Sequence, residues 1–188
     1  MKRVLLIILL HLSLFFIVFA YHAQAEEDEM WTIDKYESLT FARVYGEVIH
    51  GDSLNFFIQS NDNCEKVWHN FTFYTYELPG DIKQLLNKNI PIKINDEEVT
   101  AQVDHIQPFL MGYRVLLSLG SFPIKEYIYK LNNFYIEEKR FEIEIIDGID
   151  FKASKYFDLR NNSWKLDKLV PSVLEANKLC KEIFDKKL

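Results

Sequence analysis

The sequence predicts a fold of the α+β or mainly β class: an antiparallel β-sandwich-like domain closed by a C-terminal helix. Most of the chain beyond residue 40 alternates apolar and polar residues with a period of two, which is typical of strands that bury one face. Between Leu166 and Phe184 the apolar residues recur instead at intervals of three and four, the period of an amphipathic helix. Strands and helices do not alternate along the chain as they would around a parallel sheet. We therefore expect about seven to nine short strands and a helix over about residues 163–185.

Residues 1–25 have the features of an export signal. Lys2 and Arg3 precede the apolar run Val4–Phe19, and Ala23-Gln24-Ala25 is a small-x-small cleavage site. The run is shorter than the ~20 apolar residues that a membrane-spanning helix needs. We expect cleavage after Ala25, which would leave residues 26–188 as a single exported domain without stable membrane insertion. The alternative is an uncleaved segment that serves as an anchor.

The charge of the chain argues against nucleic acid as a partner. Removal of Lys2 and Arg3 with the signal would take the formal net charge from −6 to −8, because all 28 acidic residues lie after the cleavage site. An acidic domain repels phosphate backbones, and no basic stripe interleaved with aromatic residues is present.

Cys64 and Cys180 are the two cysteines of the chain. In an oxidising compartment an even pair of cysteines usually forms a disulfide. A buried unpaired pair and a reactive thiol are the alternatives, but no CxxC spacing suggests redox chemistry or zinc binding. We expect a structural disulfide that clamps the C-terminal helix beside the third strand.

The first strands follow from alternation and turn residues. Residues 42–48 and 54–58 form a predicted hairpin around Gly51-Asp52. Residues 67–76 continue as a third strand that presents Val67, His69, Phe71 and Phe73 on its core face.

The second half of the chain contains the same signals. One or two helical turns are expected over residues 81–87, a second hairpin around Asn95-Asp96, a strand over 113–119 that ends at residues 120–123, and a short helix over 124–131. Residues 141–145 and 151–159 are predicted as the last strands. Asn162 or Ser163 is expected to cap the C-terminal helix, and Pro171 to kink it or to begin a second helix.

The segment KYFDLRNNSWKLDKLVPSVLEANKLC, which spans Lys155–Cys180, resembles the ending of small exported β-rich proteins of Gram-negative bacteria, of the invasion-associated locus B type. In these proteins a strand with an F-x-L pattern leads into a helix that closes on a cysteine. The resemblance implies a periplasmic β-rich protein and implies no functional residue.

The sequence contains few signs of catalysis. It lacks the GxSxG, HExxH and GxGxxG patterns and a phosphate-binding glycine loop, and we expect no cofactor and assign no metal site. The alternative to a binding protein is an envelope hydrolase or metal-dependent enzyme that uses His50 with Asp52, or His105 with Asp104. The third histidine, His69, is expected to be a hydrogen-bonded residue of the core face.

Aromatic residues make up 15% of the chain, and four of them lie on strand faces opposite the predicted core. Tyr45, Trp68, Tyr74 and Tyr76 would form one exposed stripe if the first and third strands were neighbours, and exposed aromatic residues mark binding surfaces. Alternatively, this face packs on a second sheet or on the C-terminal helix. The sequence thus favours a periplasmic or secreted, non-catalytic binding protein whose partner is an envelope protein, a host protein or a glycan. A eukaryotic secreted protein is a further interpretation, because Asn70-Phe71-Thr72 and Asn161-Asn162-Ser163 match the glycosylation triplet.

Overall fold

The computed structural model of the chain describes residues 31–48 and 51–186. The predicted signal peptide, residues 1–25, and His50 lie outside the described residues. The described strands are β1 (Trp31–Tyr36), β2 (Leu39–Tyr45), β3 (Ser53–Gln59), β4 (Lys66–Thr75), β5 (Asn89–Ile94), β6 (Glu97–Phe109), β7 (Gly112–Pro123), β8 (Arg140–Ile145) and β9 (Asn161–Lys165). The described α-helices are α1 (Ile124–Glu138), α2 (Ala153–Tyr156) and α3 (Leu169–Asp185), and 3-10 helices cover Ser60–Asp62 and Ile82–Leu85.

All of these strands belong to one sheet with the order β1-β2-β3-β4-β7-β6-β5-β8-β9. From β2 to β9 the neighbouring strands pair antiparallel. The sheet curls until β9 approaches the end of β2, where the backbone N–H of Glu47 donates to the carbonyl of Ser163 at 2.8 Å. The predicted fold class is therefore confirmed, and the packed faces of the domain belong to one continuous sheet.

Turn residues predicted the β5–β6 hairpin correctly. Strands β2 and β3 also pair as predicted, but β2 covers Leu39–Tyr45 instead of residues 42–48, so their connection is longer than a tight turn. Asn95 and Asp96 both have left-handed φ values, 44° and 71°, which suit a two-residue turn between β5 and β6. Gly51, with φ 86°, lies in the connection between β2 and β3.

The prediction that residues 120–123 end a strand is wrong, because β7 continues to Pro123 and Gly120 takes φ 105° within it.

A buried polar cluster fixes the β2–β3 connection against β9. The Asp52 carboxylate accepts hydrogen bonds from the Tyr74 backbone N–H at 2.7 Å and from Asn162 Nδ2 at 2.8 Å. The same Asn162 amide donates to the carbonyl of Val48, and its oxygen accepts from the Val48 N–H. A larger residue at Gly46 would disturb this cluster, since a Cβ there would lie 2.4 Å from Asn162 Nδ2.

The predicted disulfide is present and joins Cys64, just before β4, to Cys180 in α3, with both cysteines buried. Two further contacts hold α3 against the sheet: Thr40 Oγ1 donates to the Ala176 carbonyl, and Asn177 Nδ2 donates to the Cys64 carbonyl, each at 2.8 Å. The helix thus closes the domain as the sequence predicts.

Two predictions near the C-terminus are wrong: the strand over residues 151–159 and the start of the last helix. Residues 151–159 are not a strand: they contain the short helix α2, whose buried residues Ala153 and Tyr156 are three apart. Residues 161–165 form β9, so Asn162 and Ser163 do not cap a helix. Helix α3 begins only at Leu169, and Pro171 lies in its first turn, where a missing N–H breaks no helical hydrogen bond.

Within residues 31–48 and 51–186, no helix is both long enough and apolar enough to cross a membrane.

Candidate binding site

The site is built around His69, the polar member of an otherwise apolar strand face. On β4, Val67, Phe71 and Phe73 share this face and are fully buried, and His69 itself is 2% exposed. A register shift in the β4–β7 ladder falls at this point, because His69 pairs with Gly120 whereas Asn70 pairs with Ser118. Leu119 is therefore the additional residue of a β-bulge, a feature that redirects side chains and often lies beside functional sites.

Helix α1 brings the partner of His69. Ile124, Tyr127, Leu131 and Phe134 recur at intervals of three and four, so they lie on one side of this helix. Phe122 of β7 stacks on the Tyr127 ring with centroids 4.4 Å apart and thereby fixes its orientation. The Tyr127 hydroxyl and His69 Nδ1 are hydrogen-bonded.

Burial keeps both members of this pair neutral. Desolvation lowers the pKa of His69 from its ordinary value of 6.5 to about 3, and it raises the pKa of Tyr127 above its usual range. The imidazole also stacks on Phe56, with centroids 4.6 Å apart, and lies 5.3 Å from the Phe141 ring. Its second nitrogen, Nε2, is buried and has no hydrogen-bond partner among the described residues.

A pocket of about 340 Å³ lies between α1 and the curled sheet beside this pair. We call it the α1 pocket; it is lined by His69, Ile94, Val99, Thr100, Leu119, Phe122, Tyr127, Lys130, Leu131, Phe134 and Phe141. Five of these residues carry rings that are linked by ring contacts. Ligand pockets are commonly about 300–1,000 Å³ and mostly apolar with a few placed polar groups, a description that fits the α1 pocket.

Exposure increases from the floor of the α1 pocket to its rim. His69, Leu131 and Phe141 are buried and form the floor, whereas Lys130 and Thr100 are exposed and form the rim. The rim ammonium of Lys130 is the formally charged group among the lining residues, since His69 is neutral. The floor is therefore apolar except for His69, whose Nε2 has no partner among the described residues.

No family model, curated protein or solved structure matches the chain. The resemblance of Lys155–Cys180 to proteins of the invasion-associated locus B type thus remains a prediction. A strand followed by a helix that contains Cys180 is present in this segment, although the strand follows the Phe157-Asp158-Leu159 pattern instead of containing it.

The four aromatic residues predicted to bind a partner do not form a continuous exposed stripe. Strand β3 lies between β2, which carries Tyr45, and β4, which carries Trp68 and Tyr74. Tyr45 and Tyr76 are 44% and 49% exposed, Trp68 is half-buried, and Tyr74 is buried with its hydroxyl donating to the Phe109 carbonyl at 3.0 Å. A binding role of these residues stays a prediction.

The described residues of the enzymatic alternative, Asp52, Asp104 and His105, do not line the α1 pocket. His105 and Asp104 are exposed on β6, and Asp52 is buried in the polar cluster with Asn162. Among the described residues, no group of three His, Cys, Asp or Glu side chains is arranged to hold a metal ion. Asn70 of the first glycosylation triplet is buried on β4.

The sequence predicted His69 as a hydrogen-bonded core residue, which is confirmed, but did not indicate the pocket beside it. Tyr127 was predicted on the apolar side of the helix, without a contact to β4. The one local signal was a histidine at a position where its neighbours on the same face are all large and apolar.

Proposed function

We propose that the protein is an exported, non-catalytic binding protein of the periplasm or the extracellular space, and that it holds a small apolar molecule in the α1 pocket. Residues 1–25 support export. The Cys64–Cys180 disulfide supports an oxidising compartment, because cytosolic thiols are kept reduced.

The observation that carries the proposal is the apolar, ring-lined pocket whose lining includes His69, a buried imidazole with no partner for Nε2 among the described residues. Buried polar groups are normally hydrogen-bonded, and an orphan costs roughly 1–3 kcal/mol. A ligand that enters the pocket removes apolar surface from water and can pair this atom.

The electrostatics of the pocket favour binding over acid–base catalysis. A general acid or base works best with a pKa near the operating pH. Burial lowers the pKa of His69 to about 3 and raises that of Tyr127. Both pKa values therefore lie far from neutral pH, so neither group readily exchanges a proton there.

The test is a titration with N-phenyl-1-naphthylamine, a neutral dye that fluoresces in apolar surroundings. We expect saturable fluorescence with the wild-type protein and at least about 10-fold weaker binding by Val99→Trp, which adds a large ring to the pocket wall. The matched control is Tyr129→Trp, because Tyr129 is on α1 but 69% exposed and outside the pocket lining. Equal binding by both variants would contradict the proposal.

A second candidate is binding of a cell-wall glycan or an envelope protein through the exposed aromatic residues. Tyr76 directly follows Thr75, the β4 residue that pairs with Tyr113 near the start of β7. The β6–β7 turn just before that point carries Leu110 and Met111, which are 83% and 75% exposed. Exposed apolar side chains of this kind mark interaction surfaces. Co-sedimentation with peptidoglycan should then be lost in a Tyr76→Ala/Met111→Ala double variant and retained in Val99→Trp.

A further inference from the structure

We infer that the ligand of the α1 pocket is a small, neutral, ring-containing molecule with a hydrogen-bond acceptor, such as a carbonyl oxygen, which accepts from the Nε2–H of His69. This inference rests on the proposed function and adds the chemical class of the ligand to it.

The direction of the His69–Tyr127 hydrogen bond determines which nitrogen is free. Tyr127 stays protonated, and among the described residues its hydroxyl has one hydrogen-bond partner, His69 Nδ1. If the hydroxyl donates to Nδ1, the neutral imidazole carries its proton on Nε2 and one donor is left unpaired. If Nδ1 donated instead, both the Tyr127 proton and the Nε2 lone pair would be unpaired in a buried site. The first arrangement leaves fewer orphaned groups, so Nε2 is a donor and its ligand supplies an acceptor.

The surroundings of Nε2 exclude a fully charged group at the floor. An ionised carboxylate there would lose its hydration in exchange for a single donor from a neutral ring, which is costly without a buried partner charge. Lys130 is exposed at the rim, and the other lining side chains carry no formal charge. A carbonyl, ether or ester oxygen satisfies Nε2–H without that penalty.

The pocket walls favour a flat molecule. His69, Phe122, Tyr127, Phe134 and Phe141 contribute rings, and aromatic faces and edges pack well against another ring at centroid distances of about 4.5–7 Å. The volume of about 340 Å³ lies near the lower limit of common ligand pockets and suits one or two fused rings.

The test compares 1-indanone with indane, two bicyclic probes of nearly the same shape that differ by a carbonyl in place of a methylene. Dissociation constants from NMR chemical-shift titrations of the wild-type protein should be about 5- to 10-fold lower for the ketone, as expected for one satisfied hydrogen bond. In His69→Phe, which keeps a ring but has no donor, the ratio of the two constants should fall to about one. His105→Gln, an exposed histidine outside the pocket, is the matched control and should keep the wild-type ratio.

A ratio is used because a merely structural effect of His69→Phe weakens both probes together. If neither probe binds wild-type protein at the α1 pocket residues, the proposed function itself is overturned. If both probes bind there with equal affinity, the proposed function stands and the acceptor inference is overturned. Should His69→Phe fail to fold, the ¹⁵N chemical shifts of His69 in the wild-type protein decide: a proton on Nδ1 instead of Nε2 would overturn the inference.

Discussion

Replacement of His69 by phenylalanine should remove a pH dependence of stability that this residue imposes on the fold. The pKa of His69 is lowered by burial from 6.5 to about 3 in the folded protein. Between these two values the unfolded chain binds a proton that the folded chain does not bind, so the free energy of unfolding rises with pH. Acidification therefore destabilises the wild-type protein through this residue.

The magnitude follows from the size of the shift. Each pH unit between the two pKa values changes the free energy of unfolding by ~1.4 kcal/mol. Acidification from about pH 7.5 to about pH 4.5 should thus cost about 2–3 kcal/mol through His69 alone. This is a large part of the ~5–15 kcal/mol by which a domain is usually stable.

The assay is urea unfolding at stepped pH, with the wild-type protein and His69→Phe compared at each step. The variant loses the hydrogen bond to Tyr127 at every pH in this range. This loss changes its free energy of unfolding by the same amount at each pH and does not alter the pH dependence. Carboxylates titrate in both proteins and cancel in the difference. His105→Gln leaves His69 in place and should keep the wild-type slope. A difference between the wild-type protein and His69→Phe that is flat from pH 7.5 to 4.5 would refute the burial of a neutral imidazole at this site.

Three further expectations concern the fold. Removal of the disulfide by Cys64→Ala/Cys180→Ala should lower the free energy of unfolding by about 4–5 kcal/mol, because the bond restrains residues 116 apart in the unfolded chain; urea unfolding with and without reductant measures this. Gly46→Ala should cost about 1–3 kcal/mol in thermal or urea unfolding, because its Cβ would collide with the hydrogen-bonded Asn162 amide. Gly80→Ala, whose Cβ meets nothing within 4 Å, is the matched control and should be nearly neutral. The pKa of Asp81 is lowered by its hydrogen bond from Lys155, so its contribution to stability is complete above its unfolded pKa of 3.8 and is lost as pH falls through the lower folded value. The stability difference between the wild-type protein and Asp81→Asn should accordingly shrink on acidification below about pH 4, and a difference that grows would contradict this sign.

The parts of the fold that the sequence predicted well are those encoded by neighbouring residues. The β5–β6 hairpin is an example, since Asn95 and Asp96 tolerate the left-handed backbone that its turn requires. The C-terminal helix was also predicted, because its buried residues follow the helical period and include the cysteine that bonds to Cys64. In both cases the local pattern and the tertiary structure select the same conformation.

Strand β9 was missed because one of its two inward positions is polar. Asn162 and Trp164 both point inward and are buried, but an asparagine beside a serine resembles a helix cap when only the sequence is known. Its inward position is stabilised by Asp52 and Val48, which are more than a hundred residues away. Residues 151–159 show the opposite error, since their apparent alternation is overridden by the packing of Ala153 and Tyr156 in α2.

The α1 pocket is a volume that six elements leave unfilled, and no single segment encodes it. Its apolar lining residues each fit a packing role, so their types alone do not distinguish a pocket wall from a filled core. His69 is different. A leucine or phenylalanine at this position would extend the apolar face of Val67, Phe71 and Phe73 without leaving a polar atom unpaired. The histidine instead bears the cost of burying an imidazole and recovers a hydrogen bond at only one of its two nitrogens. Packing accounts for a large side chain at position 69. It leaves Nε2 without a partner among the described residues, and the proposed ligand would supply one.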